Sequence, residues 1–254
     1  MEAPSPRLLD QVRDAIRRKH YSIRTEATYC DWIKRYILFH GKKHPKDMGA
    51  AEIERFLTHL AVAGNVAAST QNQALCALVF LYKHVLAMEI NGKIDAVRAK
   101  RPKRLPVVLS RVEVDRLMAN LQGLHWLMAG LLYGAGLRLM ECVRLRVKDV
   151  DFNQHYIVVR AGKGNKDRVT LLPERLIPEL KNQLHYAKGL HENDIRRGYG
   201  CVYLPNALAR KYLGAAKSWI WQYIFPSGNL SQDPRSQETR RHHIDESGDR
   251  KSVV

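Results

Sequence analysis

Two groups of residues in this 254-residue chain have the types and spacing to handle a phosphodiester. Arg138 stands in Gly136-Leu137-Arg138 with Glu141 three residues on, and Lys163 stands in Gly162-Lys163-Gly164-Asn165-Lys166-Asp167-Arg168. A guanidinium presents a planar fork to a phosphate and stays charged at any working pH, whereas a lysine can lose its proton where its surroundings depress its pKa. One of the two can hold the phosphate and the other can protonate a leaving oxygen.

Around these residues the pattern predicts the elements that position them. Leu137, Met140 and Val143 recur at helical spacing, with Cys142 and Leu145 widening the stripe, which predicts a helix carrying Arg138 and Glu141 as i,i+3 neighbours. Tyr156 to Val159 and Val169 to Leu172 are short β-branched or apolar runs around a glycine-rich turn, hence a hairpin with lysines at its tip. Upstream, Ser110 to Glu113 reads as a capping box starting a helix to about Asn120. His125 to Tyr133 is a nearly uncharged helix expected to be buried on all sides, with His125 and Trp126 structural; downstream, Glu174 to Leu190 is a further helix.

The first 90 residues read as four amphipathic helices. Their apolar faces hold Leu9, Val12 and Ile16; Tyr29, Ile33, Tyr36 and Ile37; Ile53, Phe56, Leu57 and Leu60; and Leu75, Leu78, Val79, Tyr82, Val85 and Leu86. Ser22 or Thr25 is the expected cap of the second helix and Ser69 of the fourth. This region, 1–90, has no catalytic cluster and reads as a binding domain. Residues 91–106 carry Lys93, Arg98, Lys100, Arg101, Lys103 and Arg104, interrupted by Pro102 and Pro106 and offset only by Asp95, a basic linker suited to lie along a phosphate backbone. A second domain, 107–254, follows.

Composition narrows the partners. Lys and Arg number 42 against 25 Asp and Glu, giving +17, a balance that favours a polyanion; RNA, DNA and an anionic membrane are not separated by charge alone. The four cysteines are too scattered for a zinc spacing or a disulfide framework and read as buried thiols of a reducing compartment. Neither an apolar signal region nor a membrane-length apolar run occurs in the sequence, so a cytoplasmic protein is expected.

Ala207 to Ile224 reads as helical in its middle, with an aromatic cluster of Tyr212, Trp219, Trp221, Tyr223 and Phe225; Ser227 to Thr239 reads as loop, closed by Arg240, Arg241, His242 and His243. The paired histidines lack a third ligand at metal spacing, so no metal is expected, and contact with base or phosphate fits better beside two arginines.

Taken together, Gly136-Leu137-Arg138 with Glu141, then Lys163 in its Gly-Lys-Gly-Asn-Lys-Asp-Arg run, behind a four-helix region and a basic linker, closely resemble the first catalytic box and β-hairpin of the tyrosine recombinase (phage integrase) family. Ala67 to Leu75, Arg98 to Ser110 and the segment from Tyr203 through Trp221-Gln222-Tyr223-Ile224-Phe225-Pro226 to His243 resemble integron integrases, the last as an insertion at about 191–243. The resemblance implies a mainly α fold: an N-terminal four-helix SAM-like core-binding domain, then a mixed α+β catalytic domain with a small antiparallel sheet.

It also implies strand exchange through a phosphotyrosine without cofactor, in a homotetrameric synapse, at the nucleoid of a bacterial cytoplasm. Arg138 would hold the scissile phosphate, Lys163 would protonate the departing 5′ oxygen, and Glu141 would orient the arginine region. Lys166 and Arg168, with the linker cations, would contact phosphates. The DNA partners implied are a duplex attachment site and a folded single-stranded cassette site, on whose unpaired bases Trp219, Trp221, His242 and His243 would stack beside Arg240 and Arg241.

The family pattern continues with a His-x-x-Arg box and a tyrosine nucleophile. No His-x-x-Arg occurs in the 254 residues and no tyrosine follows Tyr223. The expectation is a partial catalytic domain, inactive alone, with the faces of Leu117, Leu131 and the 174–190 helix partly uncovered; the alternatives are a non-catalytic DNA-binding protein occupying recombination sites and, more distantly, an unrelated RNA-binding protein.

Overall fold

The computed structural model describes residues 7–90, 107–162, 164, 166–205 and 208–246. Linker residues Arg98, Lys100, Arg101, Lys103 and Arg104, and the hairpin lysine Lys163, lie outside that set. The chain divides into two compact units, Met1–Pro106 and Val107–Val254.

The first unit is built from α1 (Leu8–Arg18), α2 (Ile23–Phe39), α3 (Ala50–Val62) and α4 (Ala68–Phe80). The Ser22 hydroxyl accepts the Thr25 N–H at 3.1 Å, satisfying one orphan donor of α2. Ser69 does not cap α4: the helix begins one residue earlier, after Ala67, and leaves the serine in its first turn. Past Phe80, Leu81–Val85 winds as a π turn. Val12, Ile16, Ile33, Tyr36, Ile53, Leu57 and Leu78 are buried together, each contributing about 1.5–3 kcal/mol by leaving water. Val79, assigned to the same face by periodicity, stays at the surface. Inside the core, the Tyr36 and Tyr82 hydroxyls lie 3.1 Å apart and Tyr82 donates to the Pro45 carbonyl at 3.0 Å.

In the second unit, α5 (Arg111–Ala119) has both arms of its capping box: the Ser110 N–H donates to Glu113 and the Glu113 N–H to the Ser110 hydroxyl. Helix α6 (Gly123–Gly134) buries Leu127, Met128 and Leu131, yet Tyr133 is 64% exposed. The helix is therefore buried on one face rather than all round; an uncharged sequence does not require a partner on every side.

Gly136 takes a left-handed conformation, φ 63°, which breaks the chain after α6 and delays the next helix. Helix α7 (Leu139–Val143) is consequently short, and Arg138 is its N-cap residue rather than a member of its face.

Strands β1 (Val150–Asp151), β2 (Tyr156–Val159) and β3 (Arg168–Leu171) form an antiparallel sheet in that order, with Val158 opposite Val169. Helix α8 (Ile177–Arg196), entered through a 3-10 turn at Glu174–Leu176, runs beyond Leu190 and brings His191 and Asp194 to the following segment. The helix expected within 207–224 is reduced to α9 (Leu208–Lys211) and two 3-10 turns, Ala215–Lys217 and Trp219–Trp221; left-handed Gly214 separates α9 from the turns.

The polar stretch 227–239 is not a loop. β4 (Pro226–Gln232) and β5 (Thr239–His243) pair as an antiparallel ribbon, and the Asp233 carboxylate accepts the N–H groups of Arg235 and Ser236 at its turn.

The core of this unit gathers Met128, Leu131, Cys142, Val143, Ile157, Leu176, Leu180, Ile224 and Phe225. Leu131 and Leu180 are covered and Leu117 is half-buried; on the 174–190 helix Tyr186 is exposed, and other exposed apolar side chains of this unit include Tyr133, Val169 and Leu171. The architecture is mainly helical, a four-helix unit followed by a unit with two small antiparallel sheets. Of the thiols, Cys142 is buried, Cys30 and Cys201 are partly so, and Cys76 is exposed. Among the described residues no helix is long and apolar enough to cross a membrane.

Candidate active site and nucleic-acid interface

Glu141 is the centre of the catalytic-box cluster. Its carboxylate accepts the Arg138 N–H at 2.9 Å and Arg138 Nη1 at 2.8 Å, closing the cap of α7. From β3, Arg168 grips the same carboxylate with both arms, Nη1 at 2.9 Å and Nη2 at 2.6 Å. These bonds, led by that from Arg168, hold the Glu141 carboxyl down at about 2.

One nearly buried carboxylate thus fixes two guanidiniums, and the Arg138 side chain remains 56% exposed. That is a cation presented to solvent on a rigid mount. Arg168, by contrast, has its guanidinium turned to Glu141.

The hairpin approaches the same carboxylate. A Cβ at Gly162 would lie 3.2 Å from Glu141 Oε1 and 3.1 Å from Arg168 Nη1, so only glycine lets the strand come this close without displacing a neighbour. Beyond it the turn is closed by the Gly162 N–H to the Lys166 carbonyl at 3.0 Å and by the Ala161 N–H to Asp167 at 2.8 Å. Lys166 is exposed at this tip. Asp149, buried, accepts Arg160 Nε at 2.7 Å and ties the hairpin stem to the 3-10 turn before β1. The residues Lys148, Arg160, Asp149, Arg146 and Asp194 carried no motif; the only available signal was an unusual density of charge beside apolar runs.

A second cluster is aromatic. Tyr223 is buried, and the His242 ring stacks on it at 5.7 Å and 9°; His243 meets Tyr223 edge-on at 5.5 Å. Burial pushes the imidazoles down, His242 with help from the Arg144 cation and His243 to about 4, so both are neutral at pH 7. Trp221 carries the Lys148 ammonium over its ring at 3.1 Å, and burial lowers the pKa of that lysine. Trp219 is half-buried and lies 6.0 Å from the His191 ring, away from the histidine pair's own contacts.

The two arginines of β5 are differently disposed. Arg241 is buried, with Nε and Nη2 on the Asp194 carboxylate and Nη1 on the Ser227 carbonyl, so its charge serves to hold the ribbon on α8 rather than to face a phosphate. Arg240 pairs with Glu238 and lies 3.6 Å from Asp233, with its guanidinium over Tyr203. Of the expected site residues, Arg138, Glu141 and Arg168 are brought into one cluster; Trp221, His242 and His243 are joined through Tyr223 and its neighbours in another. Among the described residues no group of three His, Cys, Asp or Glu side chains is placed to hold a metal ion.

An arginine mounted on a buried carboxylate beside a glycine-lysine hairpin, behind a SAM-like helical domain, defines a class, and the comparisons agree with it. Residues 8–91 match the phage integrase N-terminal SAM-like domain and residues 108–252 match the phage integrase family. The chain belongs to the phage integrase family, whose members are tyrosine-type DNA recombinases. It is 46% identical over 240 residues to an integrase/recombinase of Escherichia coli and equally to one of Pseudomonas aeruginosa, covering 94% of this chain and 71% of each relative. In fold it resembles the Tn1549 transposon integrase, solved in complex with transposon right end DNA: TM-score 0.55, 15% identity, 87% of this chain and 71% of that one.

Proposed function

We propose that the chain is a site-specific DNA recombinase polypeptide of the integron integrase type, which grips the scissile phosphate through Arg138 and meets unpaired bases through Trp219, Trp221, His242 and His243. The observation that carries it is the Arg138–Glu141–Arg168 cluster. Glu141 spends two guanidiniums' worth of hydrogen bonds on orientation, and Arg138 keeps an exposed fork whose charge complements the negative charge that grows on a phosphoryl oxygen.

Lys163, next to the close-packed Gly162, is the proposed proton donor to the 5′ oxygen, and Lys166 and the 91–106 cations are proposed to follow the backbone. Glu141 positions Arg138 and does not touch substrate. Neutral imidazoles and indoles offer flat π faces that stack on any base, each worth about 1–3 kcal/mol. Duplex attachment site, folded single-stranded site and tetrameric synapse belong to the same reading.

Cleavage needs a hydroxyl nucleophile that attacks phosphorus and expels the 5′ oxygen. The 254 residues contain no His-x-x-Arg run and no tyrosine after Tyr223, so this polypeptide assayed alone is expected to bind DNA without cutting it. That outcome equally fits a non-catalytic occupant of recombination sites. Incubation with a nicked suicide site tests both parts: the expected result is a retarded, non-covalent complex weakened strongly in Arg138→Ala; unweakened binding by Arg138→Ala would refute the phosphate grip assigned to Arg138, and a covalent protein–DNA adduct on a denaturing gel would refute both the expected lack of cleavage and the non-catalytic reading.

A further inference from the structure

Arg146 follows the catalytic box by eight positions and is buried, 9% exposed, in a place where no carboxylate-binding motif predicted a cation. Its fork is fully engaged by the distant aromatic segment. Nη1 donates to the Trp221 carbonyl at 2.5 Å, and Nη2 to the Tyr203 carbonyl at 2.8 Å and the Tyr223 hydroxyl at 3.3 Å. The guanidinium carbon lies 4.6 Å from the Tyr223 ring centre and 5.6 Å from that of Trp221.

The main chain on either side is stitched to the same segment. The Val147 N–H donates to the Gln222 carbonyl at 3.1 Å and the Ile224 N–H to the Leu145 carbonyl at 2.9 Å, so Arg146 sits at an antiparallel bridge opposite Tyr223. The remaining arm of the cluster leads outward: His242 stacks on Tyr223, and Lys148, two residues from Arg146, covers Trp221. Every ring of this cluster therefore touches Arg146 or a residue that does.

We propose that Arg146 is the positioning residue that, through the buried Tyr223, orients the Trp221 and His242 rings, and so sets the preference of the protein for DNA carrying unpaired bases over plain duplex. Arg146 does not meet the DNA. It fixes the tilt of the rings that do, because its planar fork binds three acceptors at once, which an ammonium on a flexible stem cannot reproduce. The inference rests on the base-stacking reading above.

The test uses the 254-residue chain and two oligonucleotide hairpins with the same stem, one with two protruding bases and one without, at one salt concentration. Stacking of two bases predicts that the wild-type chain prefers the first by about tenfold or more. Arg146→Lys should bring that ratio to within about threefold of unity, with faster hydrogen exchange at the Val147 and Ile224 amides while the α6 amides stay protected. Tyr223→Phe, which keeps the ring and removes one acceptor, should lose part of the preference. A wild-type ratio retained by Arg146→Lys overturns the inference; if that variant loses α6 protection as well, an unchanged ratio in Tyr223→Phe overturns it instead. A wild-type chain without any preference sinks the stacking reading itself, and the proposal for Arg146 with it.

Discussion

The two units of this chain are held together by different physics. Among the described residues of the first, Glu26 is the buried charged side chain, paired with Arg17 at 2.8 Å, and the rest of the interior is apolar except for the Tyr36–Tyr82 hydroxyls. The second buries Arg146, Asp149, His191, Asp194 and Arg241, and adds the nearly enclosed Glu141. A core of aliphatic and aromatic groups needs volume and little else. A core of buried ions needs every partner in place, and in return it holds guanidiniums and rings in fixed directions. The unit proposed to aim an arginine at a phosphate is the one built this way.

The sharpest way to break this contrast is to remove one ion from the second unit. Asp194→Ala leaves the Arg241 guanidinium buried without its carboxylate, which costs about 3–5 kcal/mol. Hydrogen exchange should show lost protection across β4 and β5 while α1 to α4 are unchanged. Equal loss in both units would mean that they unfold as one, and the contrast drawn between them would have no energetic meaning.

The reciprocal change belongs in the first unit. Leu78 is completely buried, and Leu78→Ala should cost about 2–5 kcal/mol, centred near 3, through lost transfer energy and the cavity left behind. Its effect should be confined to α1–α4, whereas destabilisation by Asp194→Ala should fall on β4 and β5. Urea titrations followed by exchange at each unit's slowest amides check both.

The same difference decides what could be read from the sequence. Periodicity located α1 to α4 within a few residues and most of their core, because an apolar stripe is the signal such packing leaves; it erred at Val79, at the edge of the stripe. The apolar runs around the Gly-Lys-Gly turn located the β2–β3 hairpin, whereas the stripe from Leu137 to Leu145 put Arg138 on a helix face when it is the N-cap of the short α7, whose late start follows from the left-handed Gly136 rather than from any apolar pattern. The β4–β5 ribbon was invisible because both faces of Ser227 to Gln232 are polar or exposed, so no alternation marks it. Arg146 and Asp194 were invisible for a related reason. A charge destined for burial has the same letter as one on the surface, and only the three-dimensional partner, 57 to 77 residues away for Arg146 and 47 for Asp194, distinguishes them.

A milder perturbation can separate the units without mutation. His243 is held neutral, near 4, by burial first and then by His242 and the Arg144 cation, against the opposing influence of the Ile244 carbonyl and Asp245. Its pKa is depressed relative to the ordinary value of 6.5, so the native state binds the proton less readily than the unfolded chain does. The corresponding stability is complete above about pH 6.5 and is lost as pH falls toward 4. His242, lowered chiefly by burial, acts in the same direction. In the first unit His84 is also lowered, but it lies at the surface, and Glu52 loses its stabilising hydrogen bonds only below about 4.5. Between pH 7 and pH 4.5 the second unit should therefore lose about 1–2 kcal/mol, allowing for partial solvent screening, and the first unit clearly less. His243→Gln should flatten this slope in the second unit. If the slope survives that substitution, the buried imidazole is not its source and the pH sensitivity must be sought among the carboxylates.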